Sequence, residues 1–503
     1  MAYLGLDIGT TGCKASVIDQ SGRIQASASR EYDLQYPGEG LIEIDPLVVW
    51  KSVLDVLSSA ANRSKETIKA LSIASFGETF VLLDSNDAPL ANSIFYTDIR
   101  GSQESADILS AIPAERLFHI TGMSINSIYS LNKLLWIKKH RPGLLEKASR
   151  LMLYGDYIGY MLTGERVIDY SLASRTMMLD VEKKEWAGEI FGAFALEQEL
   201  FSRPAQAGTK VGRLRPQLCE KLGLPADVTV VLGGHDQACA ALGAGAIEFG
   251  DACDGFGAAE CISVVIKRSQ AKDDMRKNNY CCEPHLIEGK YITLAFNTSA
   301  GASLKWYRNT IEAERHRYFS ERGENIYGVL DSECEPSPSP VLFLPYMAGS
   351  GTPYMDPSAQ GAFVGLTLST VKAQMYKAII EGICFDMRHN LELLAQTGIM
   401  VNRLVAVGGG ARSRTLLQIK ADVLNKTVTT IDVPEAGTLG LAMLCSVACG
   451  DYPDYEAAAR AMIRAAAEYS PDPANAALYE KKYAQYKRMY AAVKSIKDTE
   501  ANR

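Results

Sequence analysis

A short apolar strand that ends in an acidic residue and then breaks into a turn of glycines and threonines constrains this chain more than any other stretch. It reads Leu4-Gly5-Leu6-Asp7-Ile8-Gly9-Thr10-Thr11-Gly12-Cys13-Lys14, and alternation resumes through Ala15, Ser16, Val17 and Ile18. That pattern predicts a strand, a tight turn and a second strand. The glycines accept positive φ and close backbone approach, so amide N–H groups can converge on an anion. The hydroxyls of Thr10 and Thr11 and the ammonium of Lys14 add donors at the same place. Asp7 suits a hydrated magnesium ion, because hard cations prefer oxygen ligands. The alternative is an ordinary hairpin whose glycines merely satisfy a turn.

At 503 residues the chain is long enough for two or more domains, each with its own core. Charged residues are 22% and apolar residues 47%, the balance of a soluble globular protein. A net charge of -7 and a pI near 5.6 argue against nucleic acid or an anionic membrane as the main partner. Eleven cysteines without paired CxxC spacing fit neither a disulfide framework nor a zinc site. Reduced thiols and a cytoplasmic location are therefore expected. With the first strand starting at Tyr3, no signal peptide is expected. No apolar run reaches about 18 residues, so no membrane span is expected either.

Further along, Asp45-Pro46 caps and starts a helix with Val49, Trp50, Val53 and Leu57 on one side. Residues 68–76 read as a buried strand leading into Gly77-Glu78-Thr79. A polar loop over 95–101 carries Asp98 and Arg100. Carboxylates and a guanidinium at strand ends suit a small polyhydroxylated ligand, since each grips hydroxyls; surface salt bridging is the plainer alternative. A second buried strand, 228–232, ends in Gly233-Gly234-His235-Asp236-Gln237, with a small-residue helix directly after it. Asp236 and Gln237 at a strand's carboxyl end beside a helix N-terminus make a reaction centre, unless Asp236 is only a helix cap. His235 reads as structural.

The glycine-rich stretch 250–257 opens a new strand system, which places a domain boundary near residue 248. Within it, Asp254-Gly255-Phe256-Gly257-Ala258-Ala259 faintly echoes the opening turn, a hint of internal duplication. Residues 404–407 form a strand that opens into Gly408-Gly409-Gly410-Ala411-Arg412-Ser413. Bare glycines there either let a flat ring lie on the backbone or serve close strand–helix packing. Tyr479, Tyr483, Tyr486 and Tyr490 fall at helical spacing and read as a packing stripe.

In this order the stretches resemble the FGGY carbohydrate kinases, the family of glycerol kinase, xylulokinase and ribulokinase. Gly361-Ala362-Phe363-Val364-Gly365-Leu366, seven residues, then Gln374-Met375-Tyr376-Lys377-Ala378-Ile379-Ile380-Glu381 is similar to the C-terminal signature position by position. Lys133-Leu134-Leu135-Trp136 resembles the core of the N-terminal signature, while Ile128 departs from the residue types at its start. The resemblance implies an α/β fold of two actin-like (ribonuclease H-like) domains, residues 1–247 and 248–503, with an interdomain cleft. It implies ATP and Mg2+ as cofactors, with the sugar mainly on the first domain and the nucleotide mainly on the second. By motif, Asp236 corresponds to the catalytic aspartate and lies toward the metal with Asp7. Thr10, Thr11 and Lys14 sit in the first phosphate loop and Gly257 in the second, while Gly409, Gly410 and Arg412 line the adenine side. Glu78, Asp98, Arg100, Asp236 and Gln237 are the expected substrate contacts, and the implied partners are ATP and a small sugar or polyol, with a homodimer as a possible assembly.

Two departures stand out. The family carries a hydroxyl residue after the glycine of the second phosphate loop, where this chain has Ala258-Ala259. The sugar loop, Ser75-Phe76-Gly77-Glu78-Thr79, has the Glu-Thr of glycerol kinase but Gly77 in place of the arginine before it. The expected reaction is phosphoryl transfer from ATP to a ketose such as a pentulose. The alternatives are a kinase of a hydroxylated signalling compound or of glycerol or a tetritol, and, in another class, a sugar-sensing or chaperone-like ATPase scaffold.

Overall fold

Two sheets of the same design carry the chain, in a computed structural model that describes residues 1–433 and 435–501. The first uses β1 (Ala2–Ile8), β2 (Gly12–Asp19), β3 (Ile24–Glu31), β4 (Ile68–Ser75), β5 (Lys210–Arg213) and β6 (Thr229–His235). Their order across the sheet is β5-β6-β4-β1-β2-β3. The second uses β7 (Asp251–Phe256), β8 (Glu260–Ile266), β9 (Glu283–Pro284), β10 (Tyr291–Asn297), β11 (Arg403–Gly408), β12 (Val428–Ile431) and β13 (Ala465–Tyr469). Their order is β9-β10-β8-β7-β11-β12-β13.

The run β3-β2-β1-β4-β6 in one sheet matches β10-β8-β7-β11-β12 in the other, with antiparallel and parallel pairings in the same places. The faint echo between the two glycine turns is thus a real duplication. In each half the first hairpin turn, Gly9–Thr11 or Gly257–Ala259, stands at the same point of the sheet. The central strands are buried on both faces, as where Leu4, Leu6 and Ile8 enter one core and Tyr3 the other, because helices cover them. One of those helices begins as the sequence predicts: Asp45 accepts from the Leu47 amide and Pro46 takes the first helical position.

The halves are joined by an exchange of helices. Asp236–Gly243 follows β6 and touches β7 and β8 of the other sheet, while Ala436–Ala448 follows β12 and lies on β1 and β4. The last strand of the first sheet ends at His235 and the first of the second begins at Asp251, yet this second helix belongs by contact to the first sheet. The two helices pack through glycines: a Cβ on Gly440 would meet the Gly243 nitrogen at 3.0 Å. Leu439, Leu441 and Leu444 are fully buried there, each contributing about 1.5–3 kcal/mol. No helix of the described residues is long and apolar enough to cross a membrane.

Candidate active site

A cleft of about 220 Å³ opens where the two sheets face each other, and Thr10, Glu78, Arg175, Asp236, Gln237 and Glu260 are among its walls. Asp236 reaches it because β6 is pinched just before its end. Register slips between Val231 and Gly234, where a side chain on Gly233 would collide with the Ile73 carbonyl. The strand then delivers Asp236 as the first residue of its helix. His235, not Asp236, takes the capping position, and no side chain caps that end. The carboxylate is therefore free to face the cleft.

His235 is more than the structural residue the sequence suggested. Its Nε2 lies 3.2 Å from Asp236 Oδ1 and its Nδ1 lies 2.9 Å from Glu283 Oε1. Burial works against the imidazolium, but Glu283 and Asp236 outweigh it and raise His235 to about 9. Its backbone N–H donates to Ser171 Oγ at 2.9 Å, and Ser171 is itself held by Asp169 at 2.6 Å. Glu283 also accepts from Arg175 Nη1 at 3.4 Å, and Arg175 Nε donates to Glu78 Oε1 at 2.7 Å. A chain of alternating charge thus runs from Glu78 through Arg175, Glu283 and His235 to Asp236. Glu283 comes from the second sheet and the others from the first half, so the chain crosses the cleft. Neither Arg175 nor Glu283 carried a local sequence signal; only tertiary folding brings them to Glu78.

Glu78 holds a left-handed backbone, φ 62°, a strained state for a residue with a side chain. Ser130 Oγ donates to its carbonyl at 2.5 Å and secures the turn. Both Arg175 bonds fall on Oε1, which leaves Oε2 for a ligand.

Asp98 and Arg100 are corrections. They do not line the cleft but bind each other, with Arg100 Nη2 2.6 Å from Asp98 Oδ2 and Nη1 2.8 Å from Glu43 Oε1. The Ile42 amide donates to Asp98 at 2.5 Å, and Lys133 Nζ donates to the backbone carbonyls of Asp98 and Arg100 at 2.5 and 2.6 Å. With their polar groups paired in a buried knot, they brace the loop instead of gripping a substrate. The Lys133 of the N-terminal signature owes its burial to this knot.

At the first turn, the Gly9 amide donates to the Gly12 carbonyl at 2.9 Å and closes the hairpin. Thr10 faces the cleft and Thr11 is exposed. Asp7 stands opposite Lys14 across the two strands, but Lys14 Nζ is engaged by Glu435. Burial first, then the nearby Asp236 and Glu435 carboxylates, push Asp7 up to about 7, and its Oδ1 is buried without a partner. That orphaned oxygen beside a like charge fits a cation. Among the described residues no group of three or more His, Cys, Asp or Glu side chains could hold a metal. Two carboxylates completed by water and phosphate oxygens are, however, the usual manner of holding magnesium.

The second turn places Gly257, Ala258 and Ala259 at an exposed tip, with the Gly257 amide donating to the Ala259 carbonyl at 2.8 Å. Beneath it Lys420 pairs with both Asp254 and Glu260, all three fully buried. Burial opposes the Lys420 ammonium, yet the two carboxylates hold it charged; burial and Asp254 push Glu260 well up. Ala258 leaves no hydroxyl at the tip. Ala258→Thr is expected to raise kcat or lower KM for ATP, by at most about 1–2 kcal/mol in apparent terms; an intact but unimproved enzyme in steady-state assays would mean another group already serves.

Of the glycines after β11, Gly410 abuts the ring of Phe256, which a Cβ there would overlap, while a Cβ on Gly409 would have only the Phe256 carbonyl oxygen nearby, at 3.8 Å. The flat ring lying on Gly410 is thus the protein's own. Gly409 and Arg412 remain exposed.

Comparison with known proteins matches this architecture. The pattern of the FGGY family of carbohydrate kinases, N-terminal domain, covers residues 2–243, and that of its C-terminal domain covers 256–449. A xylulose kinase of Lactococcus lactis subsp. lactis is 29% identical over 502 residues, covering 99% of this chain and 98% of that one. A gluconokinase of Bacillus subtilis is 27% identical over 462 residues, covering 90% and 89%. The crystal structure of xylulose kinase from Rhodospirillum rubrum superposes with a TM-score of 0.87 at 26% identity, covering 99% of each chain.

Proposed function

Because the chain belongs to the FGGY family of carbohydrate kinases, we propose that it transfers the γ-phosphate of ATP to a hydroxyl of an uncharged ketose, a pentulose of the xylulose type. The observation that carries the reading is one cleft holding the Asp236 carboxylate together with the Glu78–Arg175 pair, faced by the glycine turns of both halves. Two carboxylates (Glu78, Asp236) and two cations (Arg175, His235) line it, beside a Glu260 already paired with buried Lys420. No surplus positive charge awaits the carboxylate of a sugar acid, which favours a neutral substrate over a gluconate-like one.

In this reading a substrate hydroxyl lies against Asp236, which accepts its proton as the oxygen attacks the γ-phosphorus and ADP leaves; such a base supplies about 10²–10⁴-fold in rate. His235, 3.2 Å from Asp236 Oδ1, holds the carboxylate in place. Asp7 and Asp236 would hold magnesium, which when bound neutralises the phosphate oxygens. The tips of the two glycine turns, with the Thr10 and Thr11 hydroxyls, would meet the phosphates, and Gly409 and Arg412 the nucleotide side. Approach of the two halves would exclude water, the competing acceptor.

The experiment is ADP release with ketoses, polyols and aldonates of three to six carbons. A pentulose is expected to give the highest kcat/KM, and glycerol or an aldonate as the best substrate would contradict the reading. Glu78→Ala is expected to cost about 1.5–3 kcal/mol in sugar kcat/KM with the KM for ATP unchanged. A variant that loses only ATP affinity would remove Glu78 from the sugar site.

A further inference from the structure

Gly77 precedes the strained Glu78, and the space its side chain would fill is already occupied. A Cβ built there would meet Arg175 Cγ at 2.8 Å and Cβ at 2.9 Å. Arg175 arrives from the end of the short helix Tyr170–Ser174, nearly a hundred residues away in sequence, and threads through the gap to reach Glu78. An arginine absent beside Glu78 in sequence is thereby present beside it in space.

The guanidinium is held on several sides. Glu78 Oε1 takes Nε and Nη2, Glu283 Oε2 takes Nη1, and the Tyr129 ring lies 5.2 Å below. A guanidinium has five N–H donors; with Nη1 also donating to Met123 Sδ at 4.0 Å, one on Nη2 is left, at a group that lines the cleft. Three carboxylates (Glu78, Glu283, Asp236) against two cations (Arg175, His235) give the network negative character, with Glu78 and Glu283 flanking Arg175. An arriving carboxylate would meet Glu78 at the cleft wall and the field of Glu283 buried behind Arg175, whereas hydroxyl and carbonyl oxygens need only the spare N–H and Glu78 Oε2.

We propose that Arg175, admitted by Gly77 and clamped between Glu78 and Glu283, is a specificity-determining residue that donates to the oxygens of an uncharged sugar and, through its two flanking carboxylates, turns away sugar acids. This rests on the sugar-kinase reading above. A purely structural brace would predict that any cation at the position suffices. Lysine keeps the charge but not the forked geometry, so Arg175→Lys separates the two roles even if Arg175→Gly folds poorly.

The test measures kcat and KM for D-xylulose, gluconate and ATP in wild type, R175K, R175G, G77R/R175G and E283Q, glycine at 175 removing the Cβ that a side chain on residue 77 would meet at 2.9 Å. R175K is expected to lose about 10- to 100-fold in kcat/KM for D-xylulose with the KM for ATP unchanged. The double variant, carrying its guanidinium from residue 77 into the same space, is expected to exceed R175G in D-xylulose kcat/KM. E283Q is expected to raise the gluconate-to-xylulose ratio of kcat/KM. R175K within about threefold of wild type, no rescue in the double variant, or an unchanged ratio in E283Q would each overturn the inference while leaving a ketose kinase intact. A wild type that prefers gluconate to every ketose and polyol would overturn the inference and the functional reading together.

Discussion

Asp236→Asn is expected to bind ATP and sugar nearly as the wild type does and to lose a factor of about 10² or more in kcat. The amide has the carboxylate's size, and His235 Nε2, 3.2 Å from Oδ1, retains an oxygen to face. What disappears is the negative charge that accepts the substrate proton. Because the pinch at Gly233 and the helix after it set the position, the substitution alters chemistry more than geometry. Steady-state kinetics beside equilibrium titrations of each ligand make the check. Near-normal turnover would remove Asp236 from the role of base, and parallel loss of binding and turnover would make it a binding group instead.

Lys420→Met is expected to be among the most destabilising single changes in the second half. Removing one partner of a buried ionic cluster strands the others, at a cost of about 3–5 kcal/mol. Here two carboxylates, Asp254 and Glu260, are both fully buried and already have one oxygen each without a partner. They flank the second glycine turn, so the same variant should loosen the loop and weaken ATP binding. Denaturant melts of K420M and of D254N/E260Q/K420M make the measurement. The triple variant, which strands no charge, should recover most of the loss. A single variant as stable as wild type would mean that the cluster is held by something other than its charges.

Legibility from sequence followed the range of the interactions. The opening hairpin, the helix start at Asp45-Pro46 and the strand that delivers Asp236 were readable because each is written in adjacent residues. The duplication was barely visible, since Asp254 stands one residue further from its turn than Asp7 does, which turns it to the other face of its strand, onto Lys420 instead of a cleft. Asp98 and Arg100 misled because a carboxylate and a guanidinium in a polar loop look alike whether they meet a ligand or each other. Their mutual pairing depends on Glu43 and Lys133, which only folding brings near. Arg175 and Glu283 were missed for the same reason. The one trace was Gly77, whose bareness read as a missing arginine when it is the opening for one.

The tyrosine stripe was correct for Tyr479, Tyr483 and Tyr486, which are buried. Tyr490 lies in the next helix, where its hydroxyl donates to Asp356 at 2.8 Å. The C-terminal signature, too, has a packing role alongside any functional one. Glu381 accepts from the Ser339 amide at 2.9 Å and from Tyr479 at 3.0 Å, and pairs with Lys482. It ties the long helix Lys372–Gln396 to the loop before it and to the C-terminal helix pair.

The central claim is that this cleft passes the γ-phosphate of ATP to a sugar hydroxyl and not to water. Its most direct measurement is the fate of the label from γ-labelled ATP with and without D-xylulose, resolved into sugar phosphate and inorganic phosphate. Label is expected almost wholly in sugar phosphate when the ketose is present, with little turnover when it is absent. Release of inorganic phosphate at the same rate with or without any sugar would contradict it, and would leave an ATPase scaffold as the function of the fold.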